Sequence, residues 1–505
     1  MARHAEHQAL ALPIRPPHVR IQRWLYEELR AAILNGRLSG GQRLPPTRDF
    51  AHQFGIARGT VVGAFEQLAA EGYVIAAVGR GTHVASSLPD DLFAAVTAPV
   101  RQRKRASRAI RLSDRAAPLT RSPFPLTAIT SPARAFRAGQ PDLADFPLAL
   151  WSRIGNRIGR RSPHLLLAAG DVAGYPPLRE AIATYLATAR AIRCSAEQIV
   201  LVASVQQGLD LCARLLVNPG EIVWMEDPGY PAARSVLEAA GAKIVSVPVD
   251  AHGIDVAAGR RSAACAKLAY VTPGRQYPLG CALNLDRRLQ LLRWAEQSEV
   301  IIFEDDYDSE FRFSGPPLAA LKSLDSIDRV VYGGTFSKLL FPAIRLAYLV
   351  LPDRMIHPFV AALSLATRHM PIWNQAILTD FIIEGHFSRH IRRMRTLYAE
   401  RAEALQEAAQ RYWSDFLKMP GIECGLDIAA ALTPEIDDRA AAAAAAKADI
   451  ELRPLSDHSR RRGRLNGFVV GFAAVDACSI RDGARQLARI LERQIRKAGC
   501  RSERT

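Results

Sequence analysis

The chain lacks several features that would assign it to particular classes of protein. No apolar run approaches the roughly 18 residues of a membrane-spanning helix. The first twenty residues, MARHAEHQALALPIRPPHVR, contain an early acidic residue and only a brief apolar stretch, which argues against a secretory signal. The 7 cysteines are scattered without a Cys-x-x-Cys pair, which argues against a structural zinc site and for reduced thiols. We therefore expect a cytoplasmic protein with no metal site.

Lysine is also scarce, with 8 residues against 58 arginines. One of the eight, Lys338, lies in the stretch GGTFSKLLFPAIR, directly after residues 328–332, which we predict to form a buried strand. Arginine is the better ion-pair partner and is always charged, so a lysine in this setting indicates that a removable proton is needed. A surface lysine at a turn is the alternative.

Length and charge distribution predict at least two domains with different partners. A chain of 505 residues is too long for one hydrophobic core. Residues 1–134 contain 19 basic and 9 acidic side chains, a net charge of +10, whereas the other 371 residues contain 47 and 41, a net charge of +6. A basic N-terminal quarter indicates a polyanionic partner for that part of the chain. A generally arginine-rich proteome is the alternative.

The N-terminal region shows three helical patterns followed by two short strand patterns. The helices are predicted within residues 19–36, 43–55 and 57–73, the first with apolar residues at every fourth position. The strands lie within residues 73–85 and are joined by Gly79-Arg80-Gly81. This order predicts a winged helix-turn-helix over residues 1–85, whose third helix would enter the major groove of DNA. A small helical domain that binds protein is the alternative.

The same region resembles the GntR-type winged helix over about residues 18–85. The stretches LPPTRDFA and ARGTVVGAFEQLAAEGYV match that family's pattern at many spaced positions, although Ala57 stands where the family usually has serine. The resemblance implies that the domain binds double-stranded DNA. The residues implied to contact phosphates or bases are Arg48, Arg58, Thr60, Arg80 and Gly81.

Residues 86–131 are rich in proline, serine, alanine and arginine and show no sustained periodicity. Their composition, with the basic run RQRKRASRAIR, predicts a flexible cationic tether. Its charge could add DNA affinity that falls steeply with salt. A solvated linker with no contacts of its own fits the same composition.

Residues 132–505 alternate apolar strand patterns with helical ones, which predicts a largely parallel sheet with helices on both faces. Ligands of such sheets lie beyond the carboxyl ends of the strands. Polar side chains follow several predicted strands at that end: Ser204, Gln206, Asp227, Tyr230, Asp305, Tyr307, Thr335, Ser337, Lys338 and Arg345. Each of these alone is also common at strand ends for structural reasons.

Together these residue types meet the requirements of pyridoxal 5'-phosphate. A lysine amine can condense with the coenzyme's aldehyde, which arginine cannot do. A carboxylate keeps the pyridine nitrogen protonated, so that the ring can accept electrons. A phenol can hydrogen-bond the ring oxygen, and hydroxyls with a guanidinium can hold the phosphate dianion. The pattern therefore predicts a pyridoxal-phosphate site around Lys338.

About residues 135–500 resemble the fold-type I aminotransferases, an α/β fold with a small C-terminal α+β subdomain. The stretches AGDVAGYPPLREAIATYL, EDPGYP, FEDDYDSEF and GGTFSKLLFPAIRLAY are similar to the MocR-type (GabR-like) regulators, in which a GntR-type domain precedes this fold. The resemblance implies that Lys338 binds the coenzyme, Asp305 pairs with the pyridine nitrogen, Tyr307 with the ring oxygen, Tyr230 stacks on the ring, and the phosphate is held by Ser204, Gln206, Thr335, Ser337 and Arg345.

Two departures from these families concern the ligand. Residues 277–280 read Tyr-Pro-Leu-Gly where aminotransferases usually have Asn-Pro-x-Gly, and Gly274-Arg275 replaces the Ser-His usual in MocR-type chains. We therefore expect a different effector. Arg453 and Arg234 are the candidates for binding an effector's carboxylate.

Three functions are compatible with these sequence patterns. The first is a transcriptional regulator, a head-to-tail homodimer, that senses an amino compound or pyridoxal phosphate itself and retains at most residual transamination. The second is an aminotransferase acting on an amino acid, with an appended DNA-binding domain. The third is a DNA-binding scaffold that has lost its coenzyme, which the presence of Lys338, Asp305 and Arg345 opposes.

Overall fold

The chain forms two compact units, Met1–Arg111 and Leu112–Thr505. The computed structural model describes residues 12–13, 15–77, 81–88, 111–113, 116–120, 123, 132–315, 318–460 and 465–502. Most of the predicted tether, residues 86–131, lies outside the described residues. The predicted boundaries after residues 85 and 131 therefore stay a prediction.

The first unit has the predicted order of three helices and a two-stranded hairpin. The hairpin is antiparallel, with Val74 opposite Val84. Gly55 ends the second helix at a φ of +63°, a left-handed conformation that favours glycine. The elements are α1 Ile21–Leu34, α2 Thr47–Phe54, α3 Arg58–Ala70, β1 Val74–Ala77 and β2 Gly81–Val84.

The core of the first unit is formed by one face of each helix. Leu25, Leu29 and Ile33 follow one another at four-residue spacing on α1 and are buried. The ring of Phe50 on α2 lies edge-to-face against Phe65 on α3, with 5.7 Å between ring centroids. The predicted stripe also included Ile21, but this residue begins α1 and is 42% exposed, so the buried stripe starts one turn later.

The second unit is built on an eight-stranded sheet. Its order is β3-β10-β9-β8-β7-β4-β5-β6. β10 is antiparallel to both neighbours and β6 is antiparallel to β5, whereas β9, β8, β7, β4 and β5 pair in parallel. The strands are β3 Ile199–Val202, β4 Ile222–Asp227, β5 Lys243–Asp250, β6 Gly253–Ile254, β7 Leu268–Val271, β8 Ile301–Asp306, β9 Val330–Thr335 and β10 Ala347–Val350.

Helices connect the strands, because parallel neighbours require a crossover. The short helix α12 carries Lys338 directly after β9. The helices of the second unit are α4 Ala116–Leu119, α5 Leu148–Arg161, α6 Pro163–Leu167, α7 Pro176–Ala189, α8 Val205–Leu216, α9 Pro231–Ala239, α10 Val256–Ser262, α11 Leu285–Gln297, α12 Phe336–Leu339, α13 Asp353–Thr367, α14 Ile372–Ile383, α15 His386–Tyr412, α16 Asp438–Ala446 and α17 Ala477–Ser502.

A second, four-stranded sheet forms a smaller subdomain near the C-terminus. Its strands pair antiparallel in the order β11-β12-β14-β13. Phe136, far earlier in the chain, also pairs with Gly471 at the end of β14, so the stretch before α5 is held by this sheet. The strands are β11 Leu417–Lys418, β12 Asp427–Leu432, β13 Arg453–Pro454 and β14 Gly467–Gly471.

None of the helices that the structure describes is both long and apolar enough to pass through a lipid bilayer. Within the same described ranges, the histidine, cysteine, aspartate and glutamate side chains form no group of three or more that could hold a metal ion.

Candidate functional site

A cavity of about 480 Å³ lies at the carboxyl ends of the parallel strands of the second unit. Its wall contains all nine residues that the sequence assigned to the coenzyme: Ser204, Gln206, Tyr230, Asp305, Tyr307, Thr335, Ser337, Lys338 and Arg345. It also contains residues that the sequence did not assign to it: Gly139, Tyr270, Thr272, Tyr277, Asp308 and Asp427. The structure thus brings the predicted set together, because the strands that carry it end at one edge of the sheet.

Lys338 is half-buried and presents its amine to the cavity. Its Nζ donates a hydrogen bond to the backbone carbonyl of Gly139. Gly139 has a φ of +67°, and a Cβ at this position would stand 3.0 Å from Nζ, so a side chain here would crowd the amine. Burial lowers the pKa of Lys338, and the positive charge of Arg453 lowers it further. The amine is therefore easier to deprotonate, which a nucleophilic lysine requires.

Asp305 faces the same cavity from the end of β8. Its Oδ2 accepts a hydrogen bond of 2.6 Å from the hydroxyl of Tyr270 on β7. Burial raises the pKa of Asp305 to about 6. A cationic group in the cavity, such as a protonated pyridine nitrogen, would stabilise its ionised form. The donor set thus fits the ring of pyridoxal phosphate.

Glu304, the neighbour of Asp305 on the opposite face of β8, makes stability depend on pH. Its two carboxylate oxygens accept 2.8 Å hydrogen bonds from the amides of Leu321 and Lys322, and burial raises its pKa from an ordinary 4.5 to about 7. Between these values the folded chain keeps a proton that the unfolded chain has released, so this group's contribution to stability falls as pH rises. We expect Glu304→Gln to make the pH dependence of the unfolding free energy shallower, by at most about 1.4 kcal/mol per pH unit.

Urea unfolding at several pH values across that window measures the slope. The variant loses one of the two amide bonds at every pH, so its absolute stability is not the test. Glu296→Gln, at an exposed position of α11, is the matched control and should keep the wild-type slope. Equal slopes for wild type and Glu304→Gln would contradict the assignment.

Part of the cavity wall suits a phosphate group. Ser204 precedes the twelve-residue helix α8, and its Oγ accepts a 3.1 Å hydrogen bond from the amide of Gln207. The free amides and the dipole of a helix N-terminus favour an anion. Arg345, just before β10, adds a guanidinium to the cavity. Its backbone has the left-handed conformation, with a φ of +50°. The hydroxyls of Thr335 and Ser337 complete this wall.

Arg275, which the sequence marked only as a departure, joins the two sheets of the unit. Its Nη1 donates to the hydroxyl of Tyr307 at 2.9 Å and to Oδ2 of Asp308 at 3.1 Å. Its Nη2 donates to the backbone carbonyl and to Oδ1 of Asp427, the latter at 3.1 Å. A Cβ at Gly425, where φ is +89°, would overlap the guanidinium, so this glycine leaves the room that Arg275 occupies.

The two arginines considered for a carboxylate differ in place. Arg453 lines the cavity, whereas Arg234 donates to the hydroxyl of Ser246 at 2.9 Å and is not part of the cavity wall. Tyr277, which replaces the usual asparagine, is buried with its ring edge-to-face against Tyr230, 5.5 Å between centroids. The changed tetrapeptide thus fills the space beside a residue predicted to stack on the coenzyme ring.

The residues predicted to contact DNA belong to the first unit. Arg58 is the first residue of α3 and is exposed, as is Arg48 on α2, and Thr60 is half-buried. Gly81 begins β2 at a φ of +84°. Arg80 lies outside the described residues. The helix cap Ala57 supplies no side-chain hydrogen bond, as its lack of a hydroxyl requires.

Two protein families match the chain, one in each unit. Residues 22–84 match bacterial regulatory proteins of the gntR family. Residues 142–431 match aminotransferases of class I and II, over more than half of the chain.

Several relatives match along three quarters of the chain or more. The "Probable rhizopine catabolism regulatory protein MocR" of Rhizobium meliloti is 39% identical over 474 residues, 94% of either chain. The HTH-type transcriptional regulator TauR of Rhodobacter capsulatus is 35% identical over 77% of this chain and 80% of its own. The HTH-type pyridoxine biosynthesis transcriptional regulator PdxR of Corynebacterium glutamicum is 30% identical over 90% and 93%.

Solved aminotransferases share the fold of the second unit. A kynurenine aminotransferase of Pyrococcus horikoshii, in complex with PMP, superposes with a TM-score of 0.68 at 27% identity, over 79% of this chain and 99% of its own. The family matches and this superposition confirm the predicted fold class and the dependence on pyridoxal phosphate. The chain therefore belongs to the MocR-type transcriptional regulators, pyridoxal-phosphate-dependent proteins in which a gntR-family DNA-binding unit precedes an aminotransferase-like unit.

Proposed function

We propose that this regulator senses an amino compound, or pyridoxal phosphate itself, in the cavity around Lys338. The observation that supports the proposal is the position of that lysine: it lines the same cavity as the carboxylate of Asp305 and as Ser204 and Arg345, whose side chains suit a phosphate. When bound, pyridoxal phosphate supplies an electrophilic carbon that amines can attack. Lys338 would hold that carbon, and Asp305 would keep a proton on the ring nitrogen.

The remaining residues of the cavity would fix the coenzyme's orientation. Tyr307, itself a hydrogen-bond acceptor from Arg275, would direct its own proton to the ring oxygen. Tyr230 would cover one face of the ring. Ser204, Gln206, Thr335, Ser337 and Arg345 would bind the phosphate. The same groups would permit half of a transamination, so slow conversion of an amino effector is compatible with regulation.

Sensing requires that occupancy of the cavity alters the affinity for DNA. Ligand-dependent closure of the second unit is the proposed link, and it amounts to allostery only if two states are shown. For coupling of the usual size, about 1–3 kcal/mol, the right amino compound should change the dissociation constant for DNA by about 5- to 150-fold.

The experiment uses the full-length protein loaded with pyridoxal phosphate and DNA from upstream of its own gene. Amino compounds are titrated while visible absorbance reports the coenzyme and fluorescence anisotropy reports DNA binding. We expect some amines to change both signals, and to change neither signal in Lys338→Ala. The amines could instead change the absorbance without changing the affinity for DNA, and be turned over many times in the presence of a 2-oxo acid. That result would favour the aminotransferase hypothesis.

The resemblance to the family and the DNA partner also lead us to expect a particular oligomeric state and cellular location. We expect a head-to-tail homodimer, as predicted from the resemblance, acting in the cytoplasm, where chromosomal DNA is accessible. Sedimentation velocity that gives only the monomer mass at micromolar concentration would refute the dimer. Fractionation that finds the protein outside the cytoplasm would refute the location.

A further inference from the structure

Asp427 is an acidic residue of the cavity whose role the proposed coenzyme site leaves unexplained. It is the first residue of β12, is 2% exposed, and lines the cavity. Its Oδ1 and its backbone carbonyl accept hydrogen bonds from Arg275. The hydrogen bonds that Asp427 accepts from the described residues go to Oδ1 and to the backbone carbonyl, and none goes to Oδ2.

The second carboxylate oxygen of Asp427 and the amine of Lys338 both lie near Gly139. Its Oδ2 lies 3.7 Å from the point where a Cβ of residue 139 would stand, and Lys338 Nζ lies 3.0 Å from the same point. The glycine at 139 thus keeps this place free of a protein side chain, with the carboxylate and the amine at its border. A group attached close to the amine of a small effector would occupy this space.

The charge in this space disfavours a second carboxylate. Arg453 lines the same cavity, although the residue as a whole is exposed. Partial desolvation opposes its charge, but Tyr277 and the carboxylate of Asp427 raise its pKa. A carboxylate of an effector placed beside Gly139 would approach the like charge of Asp427. A hydroxyl or a cationic group could instead donate to Oδ2, and hydrogen bonds to a charged acceptor are the stronger ones.

We propose that Asp427 selects the effector, so that the cavity prefers an amine bearing a nearby hydrogen-bond donor, a hydroxyl or a second cation, over an α-amino acid. The inference rests on the proposed function, since it assumes that effectors bind beside Lys338. It names the substrate class that the same site would take.

Three small amines that differ in one substituent test this preference. Isopropylamine, 2-aminopropan-1-ol and alanine carry a methyl, a hydroxymethyl and a carboxylate, respectively, on an otherwise common skeleton. Their apparent dissociation constants are measured by visible absorbance of the coenzyme-loaded full-length protein, and by thermal shift as a second readout. We expect the amino alcohol to bind about tenfold more tightly than the other two, a difference of about 1.4 kcal/mol.

Asp427→Asn keeps the shape of the side chain but removes the hydrogen-bond acceptor at Oδ2. The amide oxygen can keep the hydrogen bond from Arg275, whereas the amide nitrogen puts a donor where Oδ2 was. The amino alcohol should lose its tenfold advantage and alanine should bind more tightly than it binds to the wild type. Asp457→Asn, at an exposed aspartate of the same subdomain, should leave the order unchanged.

The outcomes distinguish this inference from the proposed function. If the wild type binds the coenzyme but takes alanine as tightly as the amino alcohol, the inference is wrong and the proposed function stands. An unchanged order in Asp427→Asn has the same meaning. If the wild type binds no coenzyme, the proposed function fails and the inference with it. The wild-type series decides the matter even if Asp427→Asn does not fold.

Discussion

Replacing Lys338 by alanine is expected to abolish covalent attachment of pyridoxal phosphate. The amine of Lys338 lines the same cavity as Asp305, and an alanine carries no nitrogen with which the aldehyde can condense. Borohydride reduction followed by intact-mass measurement shows the attachment directly. The wild type should gain the mass of one phosphopyridoxyl group per chain, and Lys338→Ala should gain none and lose the visible absorbance band.

Lys447→Ala is the matched control for this experiment. Lys447 is exposed at the end of α16 and outside the cavity wall, so its loss should leave both mass and colour unchanged. Covalent label of full stoichiometry in Lys338→Ala, mapped to another lysine, would overturn the assignment. Circular dichroism of both variants shows whether the fold is kept.

The second large effect is expected in the other unit, where Arg58→Ala should abolish specific DNA binding. Arg58 is exposed at the start of α3, the helix whose first residues face the base edges in a helix-turn-helix. Loss of one good base contact costs about 1–3 kcal/mol, and loss of its charge adds to this. Anisotropy with labelled upstream DNA should show no saturation at the protein concentrations that saturate the wild type, while the visible absorbance of the coenzyme stays at the wild-type level.

Arg23→Ala removes the same charge from the same unit. Arg23 is exposed on α1, a different helix, and forms an ion pair with Glu27 at 2.8 Å. It should therefore weaken DNA binding only slightly. Equal losses in Arg23→Ala and Arg58→Ala would indicate a general charge effect, and loss of both DNA binding and coenzyme absorbance in Arg58→Ala would indicate misfolding.

Local sequence patterns were sufficient for the elements and for the residues that carry a distinctive chemistry. The spacing of Leu25, Leu29 and Ile33 predicted the buried face of α1. Residues such as Asp305 and Lys338 could be grouped because each directly follows or ends a strand pattern, and parallel strands end at one edge. The exposure of Ile21 was missed because periodicity does not show where a buried stripe begins.

Residues whose role depends on distant pairing could not be predicted. Tyr270 lies in an apolar strand pattern and is indistinguishable from a core residue until β7 is paired with β8, which places it beside Asp305. Arg275 and Asp427 are 152 positions apart, and their contact requires the smaller sheet to be set against the larger one. Gly139 precedes the first long helix of its unit and shows no pattern that points to Lys338.

The hydrogen bond from Lys338 to Gly139 ties the amine of the cavity to the stretch that follows the predicted tether. Three residues earlier this stretch is fastened to the smaller sheet through Phe136 and Gly471. Once Lys338 is bonded to the coenzyme, it no longer has an ammonium group that can donate to the carbonyl of Gly139. One such hydrogen bond contributes about 1 kcal/mol. Abundance of vitamin B6 alone would thus loosen the anchorage of this stretch, before any amine arrives.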